Sequence, residues 1–299
     1  MKSSVKSWLP GFIALGTIWG LSFLFIKVGL EWATITGIPV LRASLGALTL
    51  VVWSLVTRAQ FVKQPQYWAH IAVVAFLLNA FPSVMFAWAE TLVSSSLAGI
   101  LNATTPLMTA LAILFIFRGE KLKTGQVVGL ILGFLGVIIL SGQIGNSAPE
   151  NPFGIALLLL ATASYGIGFP YARKFLSDTG YPATSLATAQ LIATVVLVSP
   201  LAIAQPMFHT SASLMPALSI FLLGALGTGF AYIWNFRTIS LAGSAIASTV
   251  TYLAPVISVI AGWLILSEPL HWYIWLGACV ILFSAALVQQ KIRFPKGNS

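Results

Sequence analysis

The sequence predicts an all-α integral membrane protein: ten transmembrane helices in two inverted five-helix repeats, with both termini cytoplasmic. Three observations carry this. Hydrophobic residues make up 58% of the 299 and charged residues only 7%, against roughly 25% charged in soluble domains. The apolar residues gather into ten runs, each near the roughly 20 residues that a helix needs to cross a bilayer core. The chain also matches itself at half its length, which marks an internal duplication.

Each span is justified by what bounds it. Leu9–Val28 follows Lys2 and Lys6 and carries Lys27 at its end; Pro39–Val56 opens on a proline, with Arg42 in its first turns. Proline is tolerated there because the first helical N–H groups have no partner to lose. Trp68–Ala89 stops at Glu90 and a very short turn, and Ser95–Phe117 runs into Arg118, Gly119 and Glu120. Gln126–Ser141 lies in a stretch with glycines at 125, 129, 133 and 136. That small-residue spacing lets helices approach closely, within the chain or between subunits. Gly142 to Pro152, rich in Gly, Asn, Ser and Pro, reads as a linker. The first repeat therefore takes residues 1–142, the linker 143–152 and the second repeat 153–299 with a short basic tail. The second set of spans is Phe153–Ala172, Thr184–Ala204, Pro216–Phe236, Ser244–Leu266 and Trp272–Gln289.

Charge tests the count, because cytoplasmic loops are enriched in Lys and Arg. With the N-terminus inside, thirteen of the fifteen basic residues fall on inner segments, leaving only Lys27 and Arg42 on the outer side or in the membrane. Four of the six acids (Glu31, Glu90, Glu150 and Glu268) fall outside. A wrong number of spans would scramble this pattern. Five spans per copy is odd, so the second copy enters the membrane from the opposite face, which makes the repeats inverted. Lys2 and Lys6 before an apolar run imitate a signal peptide. The run is long for one, no small-residue cleavage site follows, and its loss would leave one repeat short, so a retained span is expected.

The self-match is sharpest in spans 4 and 9. Ser95 to Leu122 reads SSLAGILNATTPLMTALAILFIFRGEKL and Ser244 to Leu270 reads SAIASTVTYLAPVISVIAGWLILSEPL. Pro106 answers Pro255, Ala98 answers Ala247, and Glu120 answers Glu268 after a one-residue slip. Weaker pairs are Trp19-Gly20 with Tyr165-Gly166, Lys27 with Arg173, Phe86-Ala87-Trp88 with Phe230-Ala231-Tyr232, and Gly129 with Gly277. A mid-helix proline frees the carbonyl four residues back and kinks the helix; here those carbonyls belong to Asn102 and Thr251. In hydrocarbon a freed carbonyl must meet protein, water or a ligand. Interrupted helices at paired positions of two repeats point to a substrate pathway, which places it beside Pro106 and Pro255.

The polar and aromatic residues within the spans supply the remaining candidates. Arg42 suits a carboxylate or phosphate; otherwise it is an interfacial anchor paired with Glu31 or Glu90. Lys27 presents the same choice. Asn79, Asn102, Gln190 and Asn235 are ligand contacts or interhelical glue. Trp19, Trp88, Tyr165, Tyr232, Trp234 and Tyr252 are candidates to line an amphipathic pocket, and of these Trp19, Tyr165 and Tyr252 sit deeper in their spans. Trp8, Trp32, Tyr67, Trp68 and the Trp272-Tyr273-Trp275 cluster fit an aromatic belt at the bilayer surfaces. Glu120 fits an interfacial ion pair; Glu90, on a very short outer turn, fits a structural partner such as an ion pair with Arg42 better than a proton site or gate.

Other classes are disfavoured. The net charge of +9 is scattered between apolar runs, so no basic face exists for nucleic acid. Cys279, the single cysteine, forms no disulfide framework and reads as a small buried hydrophobe. His70, His209 and His271 lie in different segments without metal-ligand spacing. Asp178 is the single aspartate and lies in a loop, so no paired acids, nucleophile and base, or metal set for an intramembrane enzyme is visible. No phosphate loop for ATP and no charged ring of a channel appears, and no cofactor is implied.

Two five-helix copies, Trp19-Gly20 with Lys27 in span 1, Pro39 and Arg42 opening span 2, and Gly119-Glu120 closing span 4 together resemble the EamA family of the drug/metabolite transporter superfamily. The likeness runs from about Pro10 to Gln290, as expected of an internal duplication. It implies a bundle in which spans 1–4 and 6–9 surround a central cavity and spans 5 and 10 lie at the periphery. It also implies a secondary transporter, often an exporter of amino acids or other small metabolites. The second copy departs from the pattern at Ser267, in place of glycine before Glu268, and at Gln190, opposite Arg42. The expected partners are a small-molecule substrate and membrane lipid. A proton or counter-substrate as coupling partner and a homodimer are both compatible with the sequence. The alternative reading is a non-transport membrane protein, lipid-handling or structural.

Overall fold

A computed structural model describes residues 5–93, 95–117, 122–140, 151–209, 213–257 and 272–288. These are almost entirely helical. Among them there is no strand, only an isolated antiparallel bridge between Ala33 and Phe208. The Gly119-Glu120 motif, residues 143–150 of the linker, Glu268 and the two tails lie outside the described residues.

In the first half, α1 spans Val5–Gly29 and α2 Gly37–Val56. The third expected span comprises α3 (Pro65–Ala75), a π-helical turn over Phe76–Ala80 and α4 (Phe81–Ala89). The fourth is broken into α5 (Ser95–Asn102) and α6 (Thr105–Phe115). The break falls just before Pro106, whose ring could not follow an unbroken turn. The half ends with α7 (Thr124–Leu140).

The second half opens on α8 (Pro152–Leu176), whose first N–H groups are capped by the Asn151 side chain accepting from Phe153 and Gly154. Next come α9 (Ala183–Ala204), α10 (Leu214–Gly224), a second π-helical turn over Ala225–Phe230 and α11 (Ala231–Ala242). Gly243, at φ +90°, makes the sharp turn into α12 (Ser244–Ser248), a conformation that a Cβ would strain. A 3₁₀ turn over Thr249–Tyr252 leads into α13, described at residues 253–257. The last element is α14 (Trp272–Val288). Spans 4 and 9 are thus both interrupted beside their prolines. The two π turns stand at the spacing that separates Pro106 from Pro255, which replaces the pairing of Phe86-Ala87-Trp88 with Phe230-Ala231-Tyr232.

Seven of these segments are long and apolar enough to cross a membrane, and three shorter apolar helices cover 124–139, 244–257 and 275–284. The helices pack mainly across the two halves: α1 on α10 and α11, α2 on α9, α4 and α6 on α8, and α7 on α14. The largest buried cluster joins Leu50, Ile71, Val74 and Leu78 to Phe169, Leu191, Phe236 and Ile239. Neither half therefore buries a core alone.

The glycine stripe serves the α7–α14 seam. A Cβ on Gly129 would meet Val288 and the Ser284 carbonyl, one on Gly136 would meet Ile281, and one on Gly133 would collide with Tyr252 and Ser284. These glycines make an internal contact rather than an exposed dimer face. Three expectations change here. Trp8 is buried against Phe12 and Leu15 instead of standing in a surface belt. Cys279 lies on the exposed face of α14. Tyr252 is fully buried in the α7–α14 seam, where its hydroxyl donates to the Leu130 carbonyl at 2.6 Å.

Candidate functional site

A cavity lies between the halves. Trp19, Ser22, Phe23 and Ile26 of α1 line it together with Arg42 of α2, Phe86 of α4 and Asn102 of α5. From the second half come Tyr165 and Phe169 of α8, Tyr232 of α11 and Thr251 of the 3₁₀ turn. The four α1 residues fall at i, i+3, i+4 and i+7, which is one face of a helix. Helices α7, α9 and α14 contribute no lining residue among those described.

Most of the wall is aromatic. Phe23 meets Phe86 at 5.7 Å between ring centroids, Phe86 meets Tyr165 at 6.1 Å, and Trp19 meets Tyr232 edge-on at 5.9 Å. The polar ends of Trp19 and Tyr232 are bonded to backbone carbonyls, as is a nearby serine. The Trp19 indole Nε1–H donates to the Gly227 carbonyl at 3.0 Å, the Tyr232 hydroxyl donates to the Leu78 carbonyl, and Ser164 Oγ donates to the Leu77 carbonyl at 2.8 Å. Leu77 and Leu78 belong to the first π turn and Gly227 to the second. A π turn inserts an extra residue into the helical ladder, so a carbonyl there lacks its usual donor. Each half supplies donors to the other half's wide turn.

Arg42 is the one charged side chain among the described lining residues. Its Nε donates to Thr228 Oγ1 at 3.1 Å, and that hydroxyl donates in turn to the Leu223 carbonyl at 2.9 Å. The second π turn therefore orients the guanidinium. Four sequence candidates, Trp19, Arg42, Asn102 and Tyr165, come together here. Ser22, Phe23, Ile26, Phe86, Phe169 and Thr251 were missed as side chains, and Tyr232 was weighed only among the aromatics.

The other candidates lie elsewhere. Lys27 donates from Nζ to the Glu90 backbone carbonyl at 3.0 Å, capping the end of α4, where a cation offsets the helix dipole. Arg173, its counterpart in the self-match, donates to the Ile239 and Ser240 carbonyls near the end of α11. Asn79, Gln190 and Asn235 are buried without lining the cavity, each with side-chain atoms that lack a hydrogen-bond partner: Asn79 Nδ2 and both polar atoms of the other two. Trp88 is part-exposed against Phe153, and Trp234 packs over Gly11. Tyr252, in its seam, is also outside the cavity.

Glu90 is fully buried just beyond the third span, and neither carboxylate oxygen has a hydrogen-bond partner. Burial pushes its carboxyl well above the usual carboxylate range, and the Lys27 and Arg42 charges only partly oppose this.

Known proteins show the same architecture. A crystal structure with 19% sequence identity superimposes with a TM-score of 0.80, covering 98% of this chain and 100% of the other, which establishes a shared fold. The uncharacterized inner membrane transporter YedA of Escherichia coli (strain K12) is 30% identical over 289 residues, covering 94% of this chain and 90% of that protein. An uncharacterized transporter of Archaeoglobus fulgidus is 26% identical over 292 residues, covering 96% of this chain and all of the relative. The uncharacterized transporter YdfC of Bacillus subtilis is 25% identical, covering 89% and 85%. The model of the EamA-like transporter family matches twice, over residues 6–142 and 152–289. With its apolar helices and its inner-membrane relative, the chain is a multi-pass cell-membrane transporter, and it belongs to the EamA-like transporter family.

Proposed function

We propose that this protein is a secondary active transporter that exports amino acids or other small amphipathic metabolites by alternating access. The ten-span reading underlies it: two inverted five-helix repeats, both termini cytoplasmic. The observation that carries the proposal is Arg42, the one guanidinium among the described lining residues, oriented by Thr228 in a mainly aromatic cavity that both halves line. A guanidinium recognises a carboxylate through paired hydrogen bonds, while the rings bury the apolar part of the ligand. An amphipathic molecule with an acid group fits that division.

Three features support inverted repeats that rock against each other. Helix contacts run chiefly between the halves, the π turns and broken spans recur at one spacing, and Lys27 and Arg173 cap equivalent helix ends. The cargo would sit where the interrupted helices of both copies meet, which is how such carriers place their sites. The direction of net flux follows the gradients of the cargo and of any coupled ion.

The test is a thermal-shift screen of the purified protein in detergent against amino acids, nucleosides, sugars and organic anions, followed by flux in proteoliposomes. A ligand that binds only the folded state stabilises it by about 2.7 kcal/mol at a hundred times its dissociation constant. Carboxylate-bearing ligands should shift the wild type and not Arg42→Gln. A response confined to sugars or nucleosides, or bound ligand with no flux, would overturn the proposal.

A further inference from the structure

Glu90 has no task in the cavity, yet it sits one helical turn beyond Phe86, which lines it. Its side chain is completely buried, and both carboxylate oxygens lack a hydrogen-bond partner. A buried carboxylate without hydrogen bonds is strongly disfavoured; such a group is paired or it takes up a proton. Cations are close, but both are engaged with other atoms. The Lys27 ammonium bonds the backbone carbonyl of Glu90 and not its carboxylate. The Arg42 guanidinium bonds Thr228 through Nε.

In the second half the position that corresponds to Glu90 is an isoleucine. Arg173 donates to the Ile239 and Ser240 carbonyls, and Ile239 stands from Glu90 at the spacing that separates Pro255 from Pro106. The backbone carbonyl of Ile239 accepts its cation with no carboxyl at that position, so the capping bond of Lys27 does not itself require the Glu90 side chain. Among the described residues, the groups that bear on it are Lys27 of α1 and Arg42 of α2, with Tyr165 of α8 across Phe86. Glu31, on the turn after α1, is exposed.

We propose that Glu90 is a proton-binding site whose occupancy is linked to anion binding at Arg42. With the proton bound, Glu90 does not compete for the guanidinium, and Arg42 is available to a ligand's carboxylate. When the anion leaves, the Lys27 and Arg42 charges are less opposed, so the proton affinity of Glu90 falls from its anion-bound value while burial still holds it above the ordinary glutamate range. An anion on Arg42 raises the proton affinity of Glu90, and by reciprocity the proton raises affinity for the anion. The linkage rests on the anion-site reading above; the proton site does not.

The experiment uses the purified full chain and E90Q, which keeps the shape of a protonated glutamate. Infrared titration of the ligand-free protein should show a protonated-carboxyl band that persists above the ordinary glutamate range in the wild type and is absent from E90Q. An identical band in both proteins, or titration within the ordinary range, overturns the proton site. Calorimetric titration then uses phenylacetate, a carboxylate on an aromatic ring, as the probe. Wild-type affinity should rise toward about tenfold per unit fall in pH, the limit for one linked proton, while E90Q binds with no such slope. Equal slopes in the two proteins overturn the linkage. If phenylacetate binds neither, the linkage falls together with the anion-site reading, and the infrared titration decides the proton site by itself.

Discussion

Tyr232→Phe tests whether the first π turn depends on a donor from the other half. The substitution keeps the ring, and with it the edge contact to Trp19, so packing drops out of the comparison. What is lost is the hydroxyl that donates to the Leu78 carbonyl. Leu78 is 1% exposed, so water cannot replace the donor. A typical hydrogen bond contributes about 0.5–1.5 kcal/mol net, and leaving its buried partner unsatisfied raises the cost to about 1–3 kcal/mol. Thermal unfolding in detergent should therefore fall by about 2–4 °C for each kcal/mol lost. Ser164→Ala removes the donor to the adjacent Leu77 carbonyl and should cost a similar amount. Because both donors serve one turn, the double variant should depart from additivity by about 0.5 kcal/mol or more. Exchange across proteoliposomes should slow in each single variant. If Tyr232→Phe lies within about 0.5 kcal/mol of wild type, the usual range for an uninvolved site, and the pair adds simply, the turn is held by its own helix and the bracing argument fails.

Arg42→Gln should abolish anion-dependent flux while the protein still inserts and folds; unchanged flux would leave Arg42 only its bond to Thr228. Pro106→Ala together with Pro255→Ala should slow exchange by restoring continuity to two interrupted spans, and normal exchange would make the breaks incidental. Gly133→Val drives a side chain into Tyr252 and Ser284 and should cost about 1–3 kcal/mol of thermal stability, as overpacking does; a silent variant would show that the seam gives way. Glu90 has a sign of its own. Its folded value lies above the unfolded one, so the stability it contributes is full below the ordinary glutamate range and is lost as pH rises through the raised value. Melting temperature against pH should fall over that window in the wild type and stay level in E90Q, and parallel curves would refute this.

Much of this architecture is legible in the chain because its causes are local. Pro106 and Pro255 announce the breaks in spans 4 and 9, since a missing N–H acts wherever the helix lies. The cavity face of α1 was equally accessible: carrying Trp19 forward by three, four and seven residues reaches Ser22, Phe23 and Ile26. Tyr252 was misplaced for a related reason. Depth along a span is readable from the sequence, but the direction in which the ring points depends on which helix packs beside it, here the glycine face of α7. Lys27 was caught between two readings for want of the same knowledge, the position of the α4 carboxyl end. The π turns were not foreseen at all. Phe76–Ala80 carries no proline and Ala225–Phe230 is merely glycine-rich, and an inserted residue reveals itself only through the donors that come from the other half.

The α7–α14 seam also has a consequence for biogenesis. Helix α7 is finished when synthesis is about half done, yet the helix that covers Gly129, Gly133 and Gly136 is the last described element of the chain. Domains otherwise condense in the order in which they leave the ribosome. Here a bare glycine face must wait through the whole second half of translation, shielded by lipid or by the insertion machinery. The seam therefore closes at the end of elongation, and a chain stalled before α14 leaves α7 without its main partner.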